Sequence, residues 1–363
     1  MFDEKIKHLQ GQLNDSAKEN IRLKEKIKEQ TITIESLNKR LEQTEQFSLD
    51  SVLSHENKLK GLFKYYTGIT YVRFLTLLSV IVPPGSSVKY TKNRSDIAKL
   101  SDKDCLFLCL CRLRQNFGLK DIAMRFGLSL QSAGEIFQAW LEQLYFKLGQ
   151  MSIWPHRDII YRNMPSDFRK EFPTTFIIID GTELKTQSPC ALGLQSQMYS
   201  DYKSSTTLKC LIGCDPSGSL IFVSELFTGS ISDKALTNDS GFYDILKTLL
   251  EKNYLKPGDA VMADKGFTID DELKQLGLKL NIPPLCPKDT QMPTGDTELT
   301  QTIAKHRIHI ERLIGKAKKF RIISYVIPTS LFKNINKIWT VCCLLTLFQD
   351  KFVIDKNAAN TKA

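Results

Sequence analysis

Two short apolar runs each end in an aspartate: FIIID at residues 176–180 and AVMAD at residues 260–264. Runs of this length bounded by turn signals read as strands buried on both faces, and such strands need helices packed above and below them. The chain around them supplies those layers. STTLKCLIGCD, then PSG, then SLIFVSELFTG reads as two strands joined by a tight turn, and LKLNIP as a further strand. Residues 241–255, 269–276 and 300–320 carry helical spacing. The succession strand, strand, strand, helix, strand, helix predicts a mixed α/β sheet domain over residues 172–348.

The rest of the chain reads as helical. With 363 residues, 42% hydrophobic and 25% charged, there is material for two or three domains with sizeable cores. Every seventh residue from Ile6 gives Ile6, Leu13, Asn20, Ile27, Ile34 and Leu41, and from Leu9 gives Leu9, Ser16, Leu23, Gln30, Leu37 and Thr44. That is a heptad pattern over residues 1–47, weakened at Ser16, Gln30 and Thr44, with Asn20 the residue type that favours a two-stranded parallel register. It predicts self-association or partner association through a coiled coil; a single amphipathic helix lying on the body is the other reading. Residues 48–99 form a helical linker segment whose apolar helix stops at Pro83, Pro84 and Gly85. In residues 100–150, Ala123 is a small residue where two helices can cross and Gly127 suits the turn. Ile122, Phe126, Leu128, Ala133 and Ile136 lock the pair, as in a helix-turn-helix. The second helix is expected to expose Gln131, Ser132, Glu135 and Gln138, a face poor in cations, so a purely structural helical subdomain stands beside a DNA-contacting one. Residues 349–363 read as a disordered tail.

Several classes are set aside by composition. The longest apolar runs, at residues 74–82 and 340–348, are too short to cross a bilayer, so no membrane partner is expected. The charged N-terminus lacks the apolar core of a signal peptide, which predicts a reducing compartment and free thiols. Cys105, Cys109 and Cys111 share a helix without a suitably spaced His, and Cys210 and Cys214 share one face of a strand. Core packing is therefore expected for them, rather than zinc binding. The formal charge of +10 is compatible with a polyanion partner but does not require one.

Placement of the charge narrows this. Residues 303–321, IAKHRIHIERLIGKAKKFR, hold seven Lys or Arg and one acid, Glu311. On a helix Glu311 borders the apolar stripe of Ile310, Leu313, Ala317 and Phe320, with Arg307 one turn before it. Each aspartate alone reads as a strand-terminal cap, and Glu311 alone as an ion-pair partner of Arg307. Together, two strand-end aspartates and a glutamate on a basic helix are also what a two-metal phosphoryl-transfer site needs, since Mg²⁺ prefers carboxylate oxygens and the cations suit phosphates.

FIIIDGTEL, LKCLIGCDPSGSLIFVSELFTGSISD, VMADKGF, LNIPP and HRIHIERLIGKAKKFRII resemble, in order, blocks of the DDE superfamily endonuclease domain. That domain occurs in Harbinger/PIF-type transposases and in transposase-derived proteins that often carry a THAP zinc finger. The resemblance covers roughly residues 172–348, and the upstream helix-turn-helix looks like the one these proteins place before the nuclease. It implies an RNase H-like fold with Asp180 on the first strand, Asp264 on the fourth and Glu311 on a later helix. These three would be the catalytic carboxylates and ligands of divalent metal, Mg²⁺ or Mn²⁺, with DNA as partner, no small-molecule substrate and a nuclear location if the source is eukaryotic. Asp233 matches another acidic position of the family and either helps to hold metal or shapes its loop. Glu183 reads as an exposed loop residue. Lys265, Arg307, Arg312, Lys316 and Lys318 are candidates for phosphate contact, while His156, His306 and His309 read as structural or weak phosphate contacts. No Cys precedes Cys105, so the zinc finger is missing from this sequence and targeting falls to the helix-turn-helix or to a recruited partner. The expected function is a metal-dependent DNA endonuclease or transposase. A domesticated, non-catalytic DNA-binding or scaffolding protein acting through the coiled coil is the alternative, and an RNA-directed nuclease a third.

Overall fold

The computed structural model describes residues 2–43, 47–92, 95–284 and 293–350. The chain divides into two compact units, residues 1–51 and 52–363. The first holds one continuous helix, Phe2–Gln43, about 63 Å long at 1.5 Å per residue. Of its heptad residues Ile6, Leu9, Leu13, Leu23, Ile27, Ile34 and Leu37 are 47–71% exposed. Thr44 lies outside the described residues, as does most of the tail expected at 349–363; Asp350, at its start, pairs with Lys64 and Arg73.

The second unit has a helical part and a sheet. Its central helix, Asp102–Gln115, begins at Ser101, whose hydroxyl caps the Asp104 N–H, and ends at Asn116 in the left-handed region, φ 58°. Residues 105–111 are all buried, three cysteines among them, so this helix lies inside the bundle rather than on its surface. Helices Leu119–Phe126 and Leu130–Gly149 follow, separated by Gly127 at φ 63°, which closes the first helix without a Cβ penalty. Ile122, Ala123, Phe126, Ala133 and Ile136 are buried where they cross. Helix Ile335–Leu344 packs on the second of them, through Gln138–Asn334 and Lys337–Glu142 hydrogen bonds at its polar edge. Among the described residues the stretch Thr329–Phe348, which contains this helix, is long and apolar enough to cross a membrane. Half of it is buried inside the fold, with Trp339 and Cys342 fully enclosed, which is how a core helix of a folded domain behaves.

The sheet comprises β1 (Thr175–Lys185), β2 (Tyr199–Ser200), β3 (Ser205–Cys214), β4 (Leu220–Val223), β5 (Phe227–Thr228), β6 (Ala260–Met262) and β7 (Lys279–Asn281). The order is β2-β3-β1-β6-β7, with β4 and β5 also pairing with β3. β1 runs antiparallel to β3 and parallel to β6, and β6 runs parallel to β7. This mixed α/β sheet behind a helical region is consistent with an RNase H-like fold. If the two-residue β2 and β5 are left out of the count, β6 is the fourth strand, but it ends at Met262, so Asp264, expected on that strand, lies two residues past it in the following turn. Helix Phe242–Glu251 buries Phe242, Leu246 and Leu249 in one core cluster with Ile177, Ile179 and Val261, and helix Thr294–Ala317 packs on β1 and β3.

One strand differs from its sequence reading. The apolar run stops at Asp180, but β1 continues five residues further, because Gly181–Lys185 keep an antiparallel ladder with β3 down to Lys185 opposite Thr207. The parallel ladder with β6 ends at Ile178 opposite Met262. The aspartate therefore marks the place where one neighbour is lost, not the end of the strand. The basic helix also differs, spanning Thr294–Ala317 rather than 300–320.

Close backbone approach fixes another position. A Cβ on Gly229 would stand 2.7 Å from the Met198 carbonyl oxygen and 2.9 Å from that of Thr207, where β5 meets β3. Gly229→Ala is expected to lower stability by about 1–3 kcal/mol, an overpacking cost that backbone atoms cannot relieve by changing rotamer. Urea unfolding checks it: an unchanged midpoint would contradict this packing.

Candidate active site

The fork between β1 and β6 builds the site. Where the parallel ladder stops, β1 carries Asp180 onward with β3, and β6 gives way to a turn that holds Asp264. Each carboxylate is oriented by a neighbouring amide: the Gly181 N–H donates to Asp180 Oδ1 at 3.0 Å, and the Lys265 N–H to Asp264 Oδ1 at 2.8 Å. Glu311 comes from helix Thr294–Ala317. All three line one open cavity of about 630 Å³.

Arg307, one turn before Glu311, spans the two aspartates. Its Nη1 donates to Asp264 Oδ1 at 2.8 Å and its Nη2 to Asp180 Oδ1 at 3.4 Å. The Arg307 and Asp180 side chains are 11% and 20% exposed, against 53% for Asp264. Burial raises the Asp180 pKa to about 6; Arg307 pulls it down, while Asp264 and Glu311 push it up. Asp180 is thus a carboxylate short of positive charge even with an arginine against it.

Asp233 stands at the centre of the same fork. Lys209 Nζ meets its Oδ1 at 2.8 Å and also donates to the Ile231 carbonyl. A Cβ on Gly181 would lie 3.0 Å from Asp233 Oδ1 and one on Gly266 2.9 Å from Oδ2. The carboxylate therefore fills the space left by two glycines, one directly after Asp180 and one two residues after Asp264, and touches both acid-bearing segments. Lys209 is a site residue that the sequence motifs do not single out. A charged residue inside the buried strand LKCLIGC was the available signal, since such a residue needs a partner.

The other positions divide. Lys318 lines the cavity and donates to the Glu183 carbonyl at 3.0 Å, its pKa lowered by burial. Lys265 and Arg312 are exposed but do not line the cavity. Lys316 is buried and donates to the Asp350 carbonyl at 2.6 Å, away from the carboxylates, because it lies on the helix face turned to the C-terminal segment. Glu183 is not a loop residue: it sits in β1, lines the cavity and accepts from the Thr207 hydroxyl at 2.8 Å. His306 is buried against Phe168 and Phe172 and meets Glu171 at 2.6 Å. Burial lowers the His309 pKa to about 4, so it is neutral at pH 7. His156 caps helix Arg157–Asn163. Cys105, Cys109, Cys111, Cys210 and Cys214 are buried thiols.

Most of the polar face of the second helix is also spoken for, although Gln131 is exposed as expected. Ser132, expected at the surface, is fully buried, because its hydroxyl donates to Asp96 at 2.7 Å. Glu135 accepts from the Thr91 N–H at 2.6 Å, and Gln138 pairs with Asn334.

By chemistry the donors suit a hard divalent cation: carboxylate oxygens of Asp180 and Asp264 converge on one guanidinium, a positive charge already held between them. Among the described residues, however, no group of three or more His, Cys, Asp or Glu is gathered closely enough to hold a metal ion.

Fold and site together define an α/β domain with an acid-lined cavity at a sheet fork, behind a helical subdomain. Residues 179–346 match the family model described as DDE superfamily endonuclease, and residues 98–150 match the helix-turn-helix of DDE superfamily endonuclease. The chain therefore carries a DDE superfamily endonuclease domain and its helix-turn-helix, a combination that points to DNA and to nuclease or transposase-like chemistry. No curated protein and no solved structure matches it.

Proposed function

We propose that the protein is a metal-dependent DNA endonuclease of the transposase type, similar to Harbinger/PIF transposases, that hydrolyses phosphodiesters and joins strands with Asp180, Asp264 and Glu311. The observation that carries this reading is the convergence of these three carboxylates on one cavity from β1, the turn after β6 and a later helix, in a region matched by the endonuclease family. Asp180, Asp264 and Glu311 would hold Mg²⁺ or Mn²⁺, which when bound activates the attacking oxygen and offsets charge developing at phosphorus. The chain's own groups do the positioning. Arg307 keeps the two aspartates facing each other, the Lys209–Asp233 pair braces both segments, and Lys318 fixes the β1 backbone at Glu183. Lys265 and Arg312 stand outside on the surface, available to phosphates along the strand. The test is nicking of DNA bearing the terminal inverted repeats that flank the gene, with Mg²⁺ or Mn²⁺ and with Asp264→Asn as control. Absence of nicking and of metal binding would sink it.

A second reading, a non-catalytic DNA-binding or scaffolding protein, draws on a different observation: Arg307 holds both aspartates, and although the three carboxylates line the cavity, no three are gathered closely enough among the described residues to hold a metal ion. A protein that binds DNA and no metal would favour it.

Residues 1–47 would pair two copies of the chain as a parallel coiled coil, or pair it with a partner of like sequence, because Phe2–Gln43 leaves Ile6, Leu9, Leu13, Leu23, Ile27, Ile34 and Leu37 largely in water. Ile27→Asp, in the middle of that stripe, is expected to turn a dimer into a monomer in sedimentation equilibrium. A wild type that is monomeric at high micromolar concentration would contradict the pairing. The domain boundaries given above and a nuclear location in a eukaryotic source belong to the same proposal.

A further inference from the structure

The cavity that holds the carboxylates has a side wall the acids do not explain. β2 and β3 form a short hairpin whose turn, residues 201–204, brings Tyr202 and Lys203 to the cavity. The turn is fixed by its own bonds: the Ser200 hydroxyl accepts from the Lys203 N–H, the Asp201 carbonyl from the Ser204 N–H, and Ser204 is left-handed at φ 47°. At its tip the Tyr202 ring is 82% exposed, although an aromatic ring gains more than most side chains from burial. Lys203 Nζ lies 4.2 Å from the centre of that ring. Close by in sequence, Leu192 and Tyr199 are 81% and 45% exposed.

Charge in the cavity identifies what the tip is for. Five carboxylates line it against four cations. Three of those cations are committed internally: Lys209 to Asp233, Arg307 to Asp180 and Asp264, and Lys318 to the Glu183 carbonyl. Lys203 is the fourth, and among the described residues no ion pair holds it. The tip thus presents an ammonium group seated over one face of an aromatic ring that is otherwise 82% exposed, and these are the two groups that bind the two ends of a nucleotide, its phosphate and its base. A base inside a duplex stack shows only its edges, so a ring on the cavity wall can meet a base face only where the base has left the stack.

We propose that Tyr202 is a stacking platform for an unpaired nucleobase next to the phosphate at the Asp180–Asp264 fork, with Lys203 on the adjoining phosphate. The site thereby prefers a strand that is single or locally unpaired over a fully paired duplex. This rests on the DNA-cleaving reading of the cavity.

The test is fluorescence anisotropy with the full-length protein in Mg²⁺, in a Glu311→Gln background so that the probe is not cut. Two labelled oligonucleotides are compared, one fully paired and one with a short unpaired segment containing 2-aminopurine. Tyr202→Ala is expected to weaken binding of the unpaired probe by roughly tenfold or more, to leave the paired probe nearly unchanged, and to abolish the quenching of 2-aminopurine on binding. Tyr202→Phe should retain all three behaviours. The ring is solvent-exposed, so both variants should melt as the parent does. Equal affinities of Tyr202→Ala and its parent for the unpaired probe, or equal losses on both probes, would overturn the stacking role while leaving the DNA reading intact. Failure of the parent to bind either probe would overturn both.

Discussion

Asp180→Asn is expected to abolish DNA nicking and, in the same molecule, to stabilise the metal-free fold at neutral pH. The loss of activity follows from the proposed role: removing a ligand that supports charge at phosphorus costs several kcal/mol of transition-state stabilisation, at least about a thousandfold in rate. The gain in stability follows from burial. Asp180 titrates at about 6 in the fold against an ordinary value of 3.8. Well below its ordinary value of 3.8 it is protonated in both folded and unfolded chains and costs nothing. As pH rises through 4 to 6 the unfolded chain loses its proton first, so folding is progressively disfavoured, by about 3 kcal/mol once both forms are ionised. Asparagine removes that penalty. Melting curves in EDTA should show the wild type losing stability between pH 4 and 7 while the Asn variant loses less, so that the variant melts higher at pH 7. If it melts at or below the wild type there, Asp180 is not the strained charge its surroundings make it.

The same residues show how far the sequence could be read. FIIID and AVMAD announce themselves because four consecutive apolar residues can only be enclosed, and the aspartates after them must lie where enclosure ends. What kind of end each one is depended on pairing. β1 keeps β3 and loses β6 at Asp180, and no local pattern says which neighbour a strand will lose. Lys316 and Lys318 illustrate a second limit. Two residues apart, in the last turn of helix Thr294–Ala317 and at its C-terminal cap, one donates to the C-terminal segment and the other to the Glu183 carbonyl in the cavity wall. Charge density along residues 303–321 could not separate them, because the separation comes from what packs against each face. Ser132, Glu135 and Gln138 illustrate a third. Polar residues on a helix look like a surface until tertiary partners, here Asp96, Thr91 and Asn334, consume them. The buried cysteines were legible for the opposite reason: in a chain without ligand spacing, a thiol behaves as a small apolar group and packs as one.

Arg307→Gln separates the two jobs of the fork, holding itself together and holding a metal. With the guanidinium removed, Asp180 and Asp264 face each other with no positive charge between them. The resulting repulsion destabilises the fold and pushes the Asp180 pKa further above its ordinary range. Removing one partner of a fully buried pair costs about 3–5 kcal/mol. The cost here should be smaller, about 1–3 kcal/mol, because Asp264 is half exposed and Asp180 can escape by taking up a proton. In EDTA the variant should therefore melt below the wild type. Addition of Mn²⁺ should raise its melting temperature by more than it raises that of the wild type, in which an arginine already occupies the space between the carboxylates and competes for them. A calorimetric titration would report the same difference as tighter Mn²⁺ binding by Arg307→Gln. Equal shifts in the two proteins would mean that the cation and the guanidinium do not share the fork, and that the carboxylates meet metal, if at all, on a side Arg307 does not touch.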